Sequence, residues 1–171
     1  MKARDMALCA LFAALLALCS WISVPLADIA FTLQTFGIFL TLGLLGGKRG
    51  SLAILLYLLL GAAGLPVFSG FRGGLGMLLG ATGGYLAGFL FSGFVYWLIT
   101  GLLGDKFRLS AMLAGLLSCY LFGTAWYCLG YAPQPQALGA ILLKCVVPFL
   151  LPDGCKLALA WLLTRRLRRF V

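Results

Sequence analysis

The chain has no histidine, only four carboxylates, and no two cysteines at C-x-x-C spacing. Each absence removes a class of function. Without histidine there is no Ser-His-Asp set, and Asp5, Asp28, Asp105 and Asp153 lie near four different boundaries, so they form neither a paired-carboxylate site nor a metal cluster. Catalysis, a metal centre and a resident cofactor are not expected. The cysteines Cys9, Cys19, Cys119, Cys128, Cys145 and Cys155 sit within apolar stretches and read as packing residues. GGKR at Gly46 to Arg49 falls short of a phosphate loop, because Leu42 stands where the motif's first glycine belongs and no Ser or Thr follows Lys48. ATP hydrolysis by that motif is excluded.

Charge is scarce as well. Only 10% of the 171 residues are charged and 63% are hydrophobic, with a mean hydropathy of +1.10, where a soluble domain carries roughly 25% charged residues. There is too little polar surface to clothe a water-soluble core, so the expected solvent is the bilayer. The first apolar run, Met6 to Val24, is 19 residues long. That exceeds a secretory signal's apolar core and reads as a retained span.

What charge there is has a pattern. The net charge of +9 would suggest nucleic acid binding in a soluble protein. Here Lys2 and Arg4, Lys48 and Arg49, Lys106 and Arg108, and Arg165, Arg166, Arg168 and Arg169 mark every second boundary between apolar runs. The boundaries between them carry Asp28, Arg72 and, from Tyr131 to Gln136, no charge. This positive-inside alternation predicts a multi-pass protein of the plasma membrane with both termini cytoplasmic, and no nucleic acid partner.

The expected fold is all-α, a compact bundle of six transmembrane helices in a single domain over residues 1–171. Span 1 is expected from Met6 to Val24, stopped by Pro25. Short spans follow within Phe31 to Gly46 and from Ser51 to Gly64, then spans from Tyr85 to Leu103 and from about Ala111 to Leu129. An outer loop with Pro133 and Pro135 leads to a partly apolar stretch holding Lys144, interrupted by Pro148 and Pro152, and the last span is expected to start near Asp153. Between spans 3 and 4, FSGFRGGLGMLLGATGG holds seven glycines in 17 residues. So irregular a backbone cannot face lipid with unsatisfied amides, so it is expected to fold over protein or line a cavity on the outer side.

Several residues stand out as candidate binding groups. Asp153 and Lys156, in PDGCK, are three apart, so their heads reach the same side of a helix. Charges within a membrane are costly and usually paired or functional, although Asp153 could equally cap the helix while Lys156 snorkels. Arg72 could clamp a carboxylate or carbonyl, or lie in water. Gln34 and Tyr85 are ligand contacts or interfacial anchors. On span 1, Ala10 and Ala14, with Ala13 and Ala17, form overlapping A-x-x-x-A pairs that suit close helix approach, to another protein or within the bundle.

At FTLQTFG, at LLYLLLGAAGLPVFSGFRGGLGMLLGATGGY and at PFLLPDGCK, the sequence resembles the BioY family, the biotin-specific S components of energy-coupling factor transporters. The resemblance spreads over most of the chain. It implies a six-helix bundle that captures biotin on the outer face, docks on a transmembrane T component coupled to two ATPases, and topples in the membrane to release its cargo inside. It implies that Ala10, Ala14 and Ala17 face the T component. It implies that Asp153 and Lys156 grip the ureido head, that Gln34 and Tyr85 complete a polar wall, and that Phe36, Phe68, Gly73 and Gly74 enclose the apolar part. Arg72 is left between a carboxylate clamp, a ureido contact and loop surface. A homo-oligomer stays open. Three other readings are an S component for thiamine or riboflavin, a membrane scaffold or small channel gated by the glycine loop, and, less favoured for want of histidine, an intramembrane enzyme.

Overall fold

The computed structural model describes residues 2–26, 29–131 and 138–170. The expectations concerning Asp28, Pro133, Pro135 and Gln136 lie outside the described residues, as do the side chains of Lys144 and Cys145.

The long apolar stretch after the first helix shows how these residues make a bundle. Helix α2 runs Gln34–Ala62, but Gly46 inside it has φ 78 and ψ 171. Only glycine takes that conformation without strain, and the chain doubles back there. A straight helix would hold Gln34 and Tyr57 roughly 35 Å apart at 1.5 Å per residue; instead the Gln34 amide donates to the Tyr57 hydroxyl at 2.6 Å. The two arms of α2 are therefore antiparallel, and they occupy the expected spans 2 and 3.

Around this hairpin pack α1 (Ala3–Trp21), α4 (Gly83–Leu103), α5 (Arg108–Gly130) and α7 (Val147–Leu167). Among the described residues, five helices are long and apolar enough to cross a membrane, α2 with both arms being one of them. The short helices α3 (Leu75–Leu79) and α6 (Leu138–Cys145) lie between them. Large side chains from all the long helices meet in the core, among them Leu16, Phe39, Tyr57, Tyr96 and Met112. The outward faces carry Leu, Phe and Trp, such as Leu11, Phe94, Trp97 and Leu121, as a lipid-facing surface requires.

Four expectations need correction. The fold is not wholly helical: α1 stops at Trp21, and β1 (Ser23–Leu26) pairs antiparallel with β2 (Ile29–Thr32), in the register Ser23 to Thr32. Pro25 does not end a helix but lies in a two-stranded ribbon, where its missing N–H can face away from the partner strand. The last span does not begin near Asp153. Helix α7 starts at Val147, with Pro148 in its first turn, where the missing N–H costs nothing, and Pro152 inside it. Of the alanines, Ala10 and Ala14 are exposed, whereas Ala13 and Ala17 are buried at 2% and 6%, so Ala13 and Ala17 serve packing within the bundle and cannot present a partner surface.

Tertiary contacts gather the basic boundaries at one end. Arg49 pairs with Asp5 at 3.1 Å, and Arg168 with Asp105 at 3.2 Å. Gly43 and Gly47, beside the turn of α2, lie against Thr164 of α7 and Trp97 of α4. From Arg165 back to Asp153 is twelve residues of α7, roughly 18 Å of helix, which puts the candidate polar groups toward the opposite end.

Candidate functional site

Helix α7 buries Phe149, Asp153, Lys156, Leu157, Ala160 and Thr164, a stripe of helical spacing facing the bundle. Two charged residues in that stripe are almost fully enclosed, Asp153 at 4% and Lys156 at 7% exposure. Neither snorkels nor caps the helix end. They stand where a charge is costly unless paired, and they are paired: Lys156 Nζ donates to Asp153 Oδ1 at 2.7 Å. The neighbours complete the satisfaction. Tyr120 of α5 donates to Asp153 Oδ2 at 2.6 Å, Lys156 donates again to the Thr32 carbonyl at 2.7 Å, and its ammonium lies 3.7 Å from the centre of the Phe31 ring. Phe31 in turn stacks against Phe149. The β-ribbon thus closes over the start of α7, and its strand end supplies a carbonyl and an aromatic face to one ammonium.

This cluster lines a cavity together with Gln34, Phe39, Phe68, Met77, Thr82, Tyr85, Leu86, Phe89 and Leu116. The wall is mostly apolar with a few polar groups among the apolar ones, the usual composition of a small-molecule pocket. Gln34 is fixed at both ends of its amide, donating to Tyr57 and accepting from Thr32. Tyr85 shares a hydrogen bond with Thr124 at 3.2 Å. Its ring lies flat on α5 because residue 123 is glycine: a Cβ there would come within 2.3 Å of the ring. Asp153 and Lys156 keep bonding capacity for a guest. A carboxylate offers about four acceptor sites and an ammonium three donors, of which the cluster uses only part.

The structure therefore brings together Asp153, Lys156, Gln34, Tyr85 and Phe68 from four separate segments. It does not bring Arg72, Gly73, Gly74 or Phe36 to the cavity wall. A tight turn explains the first. Phe68 N–H bonds to the Arg72 carbonyl at 2.9 Å, and Gly70 and Phe71 within the turn both have positive φ. Phe68 is thereby turned inward against Gly61 while Arg72 stays exposed. Gly73 packs on the Leu65 carbonyl, and Gly74 donates to the Gly61 carbonyl at 2.7 Å, so these glycines serve backbone packing. Phe36 is half-buried against the core, and Phe39, one turn on, reaches the cavity. The glycine-rich segment contributes Phe68, Ser69, Met77 and Thr82 to the wall.

Sequence reading missed Tyr120, Thr32 and Phe31. A signal for Tyr120 was present: it is a hydroxyl in the middle of the apolar run LLSCYLFG, where polar groups are seldom without a task. Thr32 meets Lys156 through its backbone carbonyl, which leaves no trace in side-chain pattern.

With this geometry in hand, relatives are informative. The family model described as BioY family matches residues 1–171. The chain is 40% identical over 168 residues to the probable biotin transporter BioY of Pyrococcus horikoshii, covering 98% of each. It is 39% identical to the biotin transporter BioY of Thermotoga maritima, covering 97% of this chain and 96% of that protein. Among solved structures it is similar to the crystal structure of the S-component for biotin from an ECF-type ABC transporter, with a TM-score of 0.87 and 26% identity over 100% of this chain and 96% of the other.

Proposed function

Because the chain belongs to the BioY family, we propose that it captures biotin for uptake as the substrate-binding subunit of an ECF-type importer. Being a multi-pass membrane protein without catalytic groups of its own, it works by binding; ATP hydrolysis belongs to two partner ATPases coupled through a transmembrane T component. In this reading the chain crosses the membrane six times as a single domain, the two arms of α2 counting separately. The basic end with both termini faces the cytoplasm, and the cavity opens outward beside the glycine-rich segment. Exposed Ala10 and Ala14 form the small-residue surface for the T component.

The observation that carries the proposal is the buried Asp153–Lys156 pair on the cavity wall. Biotin's ureido ring has two N–H donors and one carbonyl, its other ring carries a thioether, and its tail ends in a carboxylate. A carboxylate acceptor beside an ammonium donor complements the ureido edge: Asp153 accepts an N–H while Lys156 donates to the carbonyl. Tyr120 and Thr32 hold the two groups at that spacing before the guest arrives, which cuts the ordering cost of binding. Gln34 and Tyr85 extend the polar wall, and Phe39, Phe68 and Phe89 cover the thioether ring and the tail.

The test is equilibrium binding of biotin to the detergent-purified chain beside Asp153→Asn and Lys156→Ala. Saturable binding weakened more than about tenfold by each, about 1.4 kcal/mol, is expected. Biotin methyl ester, which keeps the ureido ring and loses the carboxylate, should still depend on both residues. If thiamine or riboflavin binds and biotin does not, the cargo assignment falls.

A further inference from the structure

The basic end holds a second built feature, away from the cavity. Asp105, Lys106 and Arg108 on one side, and Trp161, Thr164, Arg165 and Arg168 on the other, enclose a cleft between the start of α5 and the end of α7. Its four cations face one carboxylate, Asp105. Asp105 accepts from Arg108 Nε at 3.1 Å through one oxygen and from Arg168 at 3.2 Å through the other. That bridge draws two guanidinium groups from different helices to the same place, and Arg108 is held there with only 14% of its side chain exposed. Each guanidinium has five N–H groups, so the bonds to Asp105 leave donors over. Arg165 is steadied by the face of Trp161, 4.9 Å from its ring centre.

Thr164 lines the cleft at 3% exposure, with its Oγ1 turned toward Gly43 of α2. An oxyanion brings the acceptors that the surplus guanidinium donors lack. The surroundings indicate what carries it: Leu102, Leu103, Phe107, Leu162 and Leu167, from the elements that frame the cleft, expose apolar side chains. A headgroup in the cleft would have acyl chains along those residues.

We propose that this cleft binds the phosphate of an anionic phospholipid, joining the ends of α5 and α7 from the membrane side. The inference rests on the chain's membrane location and is independent of its cargo. Basic pockets between helices at a membrane surface are suited to such headgroups, each basic residue contributing about 1 kcal/mol, or about fivefold.

The test is native mass spectrometry of the delipidated full chain in detergent. It is titrated with dioleoyl phosphatidylglycerol, with dioleoyl phosphatidylcholine and with inorganic phosphate. One saturable phosphatidylglycerol is expected, weakened about fivefold by Arg168→Gln. Arg166→Gln removes the same charge from an exposed position outside the cleft and should leave binding nearly unchanged. Displacement of the lipid by inorganic phosphate, with the same dependence on Arg168, would keep the oxyanion site and make free phosphate its source. Equal losses in Arg168→Gln and Arg166→Gln, or equal binding of phosphatidylcholine, would overturn the proposal. Should Arg168→Gln elute as aggregate in size exclusion, Arg165→Gln, whose side chain ties no helices together, replaces it. A wild type that takes up the lipid but not biotin would sink the transport reading alone.

Discussion

Asp153 with Lys156 and Asp105 with Arg108 are the same device in sequence: an aspartate followed three residues later by a cation. In space they are opposites. The first pair is buried, with side chains 6% and 8% exposed, and lines the cavity; in the second, Asp105 is 67% exposed at the basic end. An ion pair whose carboxylate stands in water contributes about 0–1 kcal/mol, because that partner is already solvated. A buried pair is a different object, since removing one member strands the other without solvent. Spacing determines that two charges meet, and burial determines whether the meeting matters for stability, for ligand binding, or for neither.

The sharpest way to break this comparison is to remove one member of the buried pair. Lys156→Met should lower stability by about 3–5 kcal/mol, read as a large drop in melting temperature in detergent. The double change Asp153→Asn with Lys156→Met should regain part of that loss without regaining biotin binding. Additive losses in the double variant would mean that the pair is not coupled. A step smaller is Tyr120→Phe, which removes one charge-assisted bond to Asp153, worth about 1.5–3 kcal/mol; biotin titration should show the loss with the chain still folded. Next comes Gly123→Ala, whose new Cβ would press on the Tyr85 ring. Overpacking of that sort costs about 1–3 kcal/mol, read as a moderate drop in melting temperature, and weaker biotin binding by the still-folded variant would locate the effect at Tyr85. Smallest of all, Asp105→Asn and Arg72→Ala should each shift stability by less than about 1 kcal/mol and leave biotin affinity unchanged. A tenfold loss in Arg72→Ala would show that the exposed guanidinium reaches the ligand after all.

The expectations that held rest on properties that neighbours cannot alter. Apolar length marked out the long helices, because no packing arrangement makes those residues soluble. Gly46 was expected as the end of a short span, and it is where α2 reverses. The β-ribbon was not legible: SVPL and IAFT are apolar and only four residues each, too short to separate from a continuing helix by period. Much of what holds the ribbon lies far along the chain, in Phe149 and Lys156.

The same division runs through the candidate site. Asp153, Lys156, Gln34 and Tyr85 were readable one by one as polar groups near the ends of apolar spans, because a charge or amide in a membrane protein is conspicuous wherever it falls. That they share one cavity with Tyr120 and Thr32, and that Arg72 does not, was decided in three dimensions. Phe68 and Arg72 belong to the same five-residue turn, and only its positive-φ geometry sends the ring inward and leaves the guanidinium outside. The residues thus determined the solvent, the long apolar helices and the chemical types available for binding. Tertiary structure decided which of them meet, because a side chain's period along its own helix selects a face, while the partner on that face is set by how the helices pack.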